Sequence, residues 1–94
     1  QEYLKVLNDN LKKLNQSKYD FVFYVAGVDI HYEDRLGKLK ITDEGINKRD
    51  QIVIENFYSK NIPLCGVLGG GYNKSFNKLI ELHSMLHKNC AEII

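Results

Sequence analysis

The sequence predicts an α/β fold with two short parallel strands and elements in the order α-β-α-β-α. Residues 21–25 and 64–68 are apolar runs without polar alternation, so each is expected to be a strand covered on both faces. Three segments with apolar residues at three- and four-residue steps flank and separate these runs. Two buried strands joined by a helix form a βαβ unit, whose strands are parallel.

Each helix has its own signal. The first is predicted over residues 2–16, where leucines recur at helical spacing between Lys and Asn. The second begins at Thr42, whose hydroxyl can cap free amides, and it ends near Asn61 before Pro63. The third is predicted over residues 73–89. Residues 26–41 carry two glycines and six charged residues, and are expected to form a long loop.

Composition excludes several classes of protein. The 94 residues carry a net charge of +1, so nothing indicates binding to DNA or to an anionic membrane. No apolar run approaches the roughly 18 residues of a membrane span. Two cysteines are too few for a disulfide framework, which favours a reducing cytoplasm, and Cys65 is expected to be a buried thiol. The first residue is Gln1, and we expect the chain to be a piece of a longer polypeptide.

The carboxyl ends of the two strands are the predicted ligand edge, because parallel sheets bind ligands there. Asp29 follows the first strand and could ligate a cation such as zinc, or could cap its own turn. Residues 69–71 are all glycine, which suits a close ligand or a phosphate, although no complete nucleotide-binding motif is present. Tyr72 is either a hydroxyl donor at this edge or an aromatic residue packed on a helix start.

Other polar residues have weaker signals. His83 and His87 are four apart and could share a metal, but His83 lies on the apolar stripe and is expected to be a satisfied core histidine. His31 is expected at the loop surface, where it could line the mouth of a ligand crevice at the carboxyl ends of the strands. Asp34 and Arg35 are expected to form a local ion pair.

Four motifs stand in order: AGVDI at 26–30, DRLGKL at 34–39, GINKRD at 45–50 and LGGGY at 68–72. Together they resemble the C-terminal part of the histone deacetylase superfamily over about residues 20–88. The motif sequences around Asp34–Gly37 and Lys48–Asp50 are closest to the class IV and bacterial deacetylase-like branch. The resemblance implies an arginase/deacetylase-type parallel sheet, of which residues 1–94 would be the C-terminal segment.

The resemblance also implies a catalytic zinc held by two aspartates and a histidine. Asp29 would be the second aspartate ligand, and Tyr72 would hydrogen-bond the substrate carbonyl. Gly70 and Gly71 would line the acyl channel, with His31 at its mouth. The implied substrates are acetyl-lysine or another small acetylated amide, such as an acetylpolyamine.

The family's paired histidines do not occur in these 94 residues, and the resemblance places the Asp-x-His element that supplies two of the zinc ligands upstream of this segment. We therefore expect this chain alone to be inactive and to hold zinc weakly. We expect it to self-associate, or to pair with the missing part of the domain, through strand edges and the Leu4–Leu14 helix face. Two alternatives are a non-catalytic interaction domain and a flavodoxin-like module that binds a phosphate or nucleotide at the glycine run.

Overall fold

The computed structural model describes residues 2–93, which form three helices and two strands. In chain order these are α1 (Glu2–Leu14), β1 (Val22–Ala26), α2 (Asp43–Tyr58), β2 (Leu64–Leu68) and α3 (Phe76–Ile93). The strands pair in parallel, from Val22 beside Leu64 to Ala26 beside Leu68, and α2 is the crossover between them. The predicted α/β class with a small parallel sheet is confirmed.

Capping side chains set the starts of α2 and α3. Thr42 Oγ1 accepts a hydrogen bond from the Gly45 amide at 3.1 Å, so α2 begins where the sequence predicts. α3 begins later than predicted, because Ser75 Oγ accepts a hydrogen bond from the Lys78 amide at 3.2 Å and so caps the first turn. The glycine run therefore precedes the helix and does not form its first turn.

All three helices pack against the same face of the sheet. The core consists of three clusters of buried side chains: Leu11, Val53 and Phe57; Ala26, Ile54 and Leu86; and Val28, Ile41, Ile46 and Leu82. Val22, Tyr24 and Leu64 extend from the sheet into these clusters. Within residues 2–93, every helix is too short or too polar to cross a bilayer.

The opposite face of the sheet is bare in the described part of the chain. Phe23 is 71% exposed and Val25 is 67% exposed, because side chains alternate along a strand and every helix lies on the other side. The prediction that both strands are covered on both faces is therefore wrong for residues 2–93. Cys65, expected to be buried, is only half-buried on this side. We call Phe21, Phe23, Val25, Cys65 and Val67 the bare sheet face.

Candidate active site

The loops that follow the two strands meet at the carboxyl end of the sheet. β1 continues into residues 27–42, and β2 continues into residues 69–75. The Val28 amide donates a hydrogen bond to the Gly70 carbonyl at 2.6 Å. The two loops therefore run side by side beyond the strands, at the edge where parallel sheets bind ligands.

The side chains of Asp29 and Tyr72 both lie against Gly70. A Cβ atom added at Gly70 would be 2.6 Å from Asp29 Oδ2 and 3.3 Å from Tyr72 Cε2. Both side chains therefore reach one small space at the carboxyl edge of the sheet. Asp29 is half-buried and Tyr72 is 46% exposed, so this space opens to solvent.

The glycine run provides room for close packing and does not adopt unusual backbone angles. No glycine among residues 2–93 has a positive φ. A Cβ atom at Gly71 would come within 2.8 Å of both Leu79 and Val28, and one at Gly69 would come within 2.9 Å of the Gly27 backbone. Side chains at these positions would push the two loops apart.

Asp34 connects the two loops through hydrogen bonds from three backbone amides. Its Oδ1 accepts from the amides of Leu36 and Gly37, each at 2.9 Å, and its Oδ2 accepts from the amide of Tyr72 at 2.7 Å. Partial burial raises the pKa of this carboxyl, but the three N–H groups lower it by more, so the net shift is downward. The predicted ion pair with Arg35 is wrong for the described residues, because the carboxylate faces backbone amides.

His31 lies inside the molecule, so the prediction of a loop-surface residue at the crevice mouth is wrong. It is 1% exposed, and its Nε2 lies 2.5 Å from Asp43 Oδ1. Its Nδ1 accepts a hydrogen bond from the Glu33 amide at 3.2 Å. We infer that the ring hydrogen is on Nε2 and is donated to Asp43, which also pairs with Lys78 of α3. His31 thus fastens the loop to the start of α2.

His83 lies in an apolar groove between β2 and α3, which it lines with Leu68, Phe76 and Ile80. Its Nδ1 is buried and has no hydrogen-bond partner within residues 2–93, so the prediction of a satisfied core histidine is wrong. Burial lowers the pKa of His83, and the charge of Arg49 lowers it further, which favours the neutral ring.

A buried polar network near the carboxyl edge of the sheet is not among the features predicted from the sequence. Arg49 and Asp50 of α2 are 5% and 1% exposed. Arg49 Nη1 donates to the Gly27 carbonyl at 2.6 Å, and Nε donates to Asp50 Oδ1 at 3.1 Å. Asp50 Oδ1 also accepts from the Tyr24 hydroxyl at 2.5 Å, and burial raises the pKa of Tyr24 well above its ordinary value. The Arg49 guanidinium therefore holds the backbone two residues before Asp29.

A signal for this network was present in the sequence. Arg49 and Asp50 fall three and four residues after Ile46, and four and three residues before Val53, within the apolar stripe of α2. Charged residues at such positions are buried with the stripe, and buried charges must be paired.

The arrangement offers one carboxylate and one phenol to a small ligand. Asp29 can supply one metal ligand, whereas a catalytic zinc takes three protein ligands. No group of three or more His, Cys, Asp or Glu side chains suited to a metal is present within residues 2–93. A zinc site with three protein ligands at Asp29 would therefore need ligands from outside the described residues.

Comparison with known proteins gives three findings. The family model described as histone deacetylase domain matches residues 1–86. An uncharacterized protein of the cyanobacterium Picosynechococcus is 41% identical over 92 residues, which are 97% of this chain and 31% of that protein. Histone deacetylase 2 of Arabidopsis thaliana is 41% identical over 80 residues, which are 84% of this chain and 21% of that protein. The chain thus spans less than a third of the length of either relative.

Proposed function

The chain belongs to the histone deacetylase family, and we propose that it is the C-terminal segment of a zinc-dependent deacetylase domain. The observation that carries this proposal is the meeting of Asp29 and Tyr72 around Gly70, at the carboxyl edge of a parallel sheet. A metal-ligating carboxylate and a hydroxyl donor at one open space are two of the groups that metal-assisted hydrolysis of an amide uses. The proposed substrates are acetyl-lysine or another small acetylated amide.

In this proposal Tyr72 stabilises the tetrahedral intermediate. A phenol hydroxyl can donate a hydrogen bond to the substrate oxygen as negative charge develops on it. One such donor contributes about 3–4 kcal/mol to lowering the barrier. Tyr72 is 46% exposed, which supports contact between this side chain and a substrate that enters from solvent.

Asp29 would be one of the ligands that hold the metal. Zinc, when bound, polarises the amide carbonyl and activates water. The half-buried carboxylate of Asp29 fits this role, since it borders the open space and the small residues Gly27 and Gly70 leave its oxygens accessible. Two further ligands and the paired histidines that move protons would come from the preceding part of the domain, as the family resemblance implies.

The bare sheet face is the surface we propose for pairing with that preceding part. Phe21 and Phe23 lie side by side there, with ring centroids 4.9 Å apart, and Val67 continues the apolar surface onto β2. The helix face proposed from sequence is a poorer candidate, because Leu11 of α1 is already buried against α2. The same surface would allow self-association when residues 1–94 are produced alone.

The function is tested by variants in a complete domain that contains this sequence. Tyr72→Phe should lower turnover by about a hundredfold or more, with zinc content and substrate binding largely kept. Asp29→Ala should lose zinc, as measured by metal analysis after dialysis. Tyr58→Phe is the matched control, because it removes the hydroxyl of an exposed tyrosine outside the site. Normal turnover in Tyr72→Phe would remove Tyr72 from the mechanism.

The bare sheet face also favours a second candidate function, a non-catalytic interaction domain. The two candidates predict different pairing partners and different activity. Phe23→Ser, which makes the most exposed side chain of the strand polar, tests the pairing surface. If the chain is a deacetylase segment, Phe23→Ser should lose pairing with the preceding part of the domain. An interaction domain should pair with another chain and show no zinc-dependent hydrolysis in any assembly. Val6→Ser on α1 controls for the loss of an exposed apolar residue elsewhere.

A further inference from the structure

We propose that Asp34 is a positioning residue that holds Asp29 and Tyr72 in one arrangement. The inference rests on the proposed function, because it assigns Asp34 to the site in which those two residues would act. Asp34 itself is not placed on a substrate or a metal. Its carboxylate acts on the backbone of the two loops that carry the site.

The two oxygens of Asp34 have separate tasks. Oδ1 closes a local turn by accepting hydrogen bonds from the amides of Leu36 and Gly37. Oδ2 accepts a hydrogen bond from the amide of Tyr72 in the other loop, at 2.7 Å. Tyr72 lies 38 positions later in the chain. Next to this bond, the backbones of Asp34 and Asn73 pair in the antiparallel sense. One side chain therefore joins the loop after β1 to the loop after β2.

The turn closed by Oδ1 lies directly against Asp29. A Cβ atom on Gly37 would overlap the backbone carbonyl oxygen of Asp29, so the two segments pack at backbone contact distance. Movement of this turn would therefore displace the Asp29 backbone. The carboxylate of Asp34 thus determines the positions of both site residues.

This hydrogen bond is the contact made directly by the Tyr72 amide to the loop after β1. The three residues before it are glycines, which have no side chains to pack, and Tyr72 lies ahead of α3. A second tie to the β1 loop is the hydrogen bond from Val28 to Gly70. That bond fixes the glycine run, but it does not set the backbone at Tyr72.

An asparagine at position 34 separates the two tasks. Its single acceptor oxygen can replace Oδ1 and keep the turn, and its NH₂ group then faces the Tyr72 amide, so two donors oppose each other. Asp34→Asn is therefore expected to remove the tie to Tyr72 while the turn at Leu36 persists. Asp20→Asn is the matched control, because it makes the same chemical change at an exposed residue before β1.

The first measurement is amide hydrogen exchange by NMR on the chain of residues 1–94. In Asp34→Asn the Tyr72 amide should lose protection, while the amides of α2 and α3 keep theirs. Asp20→Asn should leave the Tyr72 amide unchanged. Unchanged protection at Tyr72 in Asp34→Asn would overturn the inference. If Asp34→Asn unfolds the chain, acidification of the wild type provides the test, since the amides of Leu36, Gly37 and Tyr72 should shift together with one midpoint.

The second measurement is a double-mutant cycle in the complete deacetylase domain. Asp34→Asn should lower kcat by about ten- to a hundredfold with little change in KM, because a small misplacement of a catalytic group costs that much. Combined with Tyr72→Phe, it should add little, since Asp34→Asn keeps the turn against Asp29 and removes only the bond that positions Tyr72.

The outcomes of the cycle separate the inference from the proposed function. Fully multiplicative losses would refute the positioning role, because they would show that Asp34 acts independently of Tyr72. A Tyr72→Phe variant with normal kcat would instead refute the proposed function. The amide hydrogen-exchange measurement would then still test whether Asp34 joins the two loops.

Discussion

Replacing Arg49 with Met should destabilise the chain strongly, because it leaves a buried carboxylate without its cation. Arg49 and Asp50 are almost fully buried, and Arg49 donates hydrogen bonds to Asp50 and to the Gly27 carbonyl. Breaking a buried pair by removing one partner costs about 3–5 kcal/mol. A domain of this length has a free energy of unfolding of about 5–14 kcal/mol, so the loss is a large share of the whole.

Urea unfolding followed by circular dichroism measures this loss. All variants are compared at one protein concentration, because association through the bare sheet face would make stability depend on concentration. Lys48→Met is the matched control, since it removes an exposed cation from the adjacent position of α2 and should change stability by less than about 0.5 kcal/mol. A triple variant, Arg49→Met with Asp50→Leu and Tyr24→Phe, replaces the whole network with apolar groups and should recover most of the loss.

The reasoning fails if Arg49→Met costs no more than Lys48→Met. Such a result would mean that Asp50 reaches solvent or another cation when the guanidinium is removed. It would also mean that the Gly27 carbonyl does not need its hydrogen bond from Arg49. A triple variant as unstable as Arg49→Met would show that the side chains contribute by packing and not by charge.

Two further predictions concern pH and backbone packing. The hydrogen bond from Lys78 lowers the pKa of Asp43 below its ordinary value, so this group stabilises the fold above about pH 4 and loses that contribution as pH falls through its folded pKa. Urea midpoints measured from pH 7 to pH 2 should fall, and less steeply in Asp43→Asn. Gly37→Ala should destabilise by several kcal/mol, because the added Cβ would overlap a backbone carbonyl oxygen. Gly66→Ala meets only the end of a leucine side chain and should cost less, and equal midpoints for the two variants would contradict the packing.

Local signals in the sequence account for the elements of the fold. The run of apolar residues at 64–68 coincides with β2, and the hydroxyl of Thr42 caps α2 as its position predicts. α3 begins later than the apolar pattern predicts, because Ser75 caps its first turn. The bare sheet face could not be foreseen, since an apolar run looks the same whether both its faces are covered within the chain or only one.

The candidate site was predictable where it depends on strand topology. Asp29 and Tyr72 each follow a strand of one parallel pair, and this places them at the same edge. The contacts that hold the edge join residues far apart in sequence, such as Asp34 with Tyr72, and no local pattern reports them. For the same reason the sequence wrongly predicts an exposed His31, because its partner Asp43 lies twelve positions later.

The edge that carries Asp29 and Tyr72 is held together by contacts within residues 2–93. Backbone pairing after the strands, the Asp34 carboxylate and the Arg49 guanidinium each fasten one of its loops. Assembly with the preceding part of the domain would then require little rearrangement of this edge, and its driving force would come from covering the bare sheet face. Substitutions on that face should weaken assembly and leave kcat of the assembled enzyme unchanged. Asp34→Asn should lower kcat and leave assembly intact, so the two properties are separable by mutation.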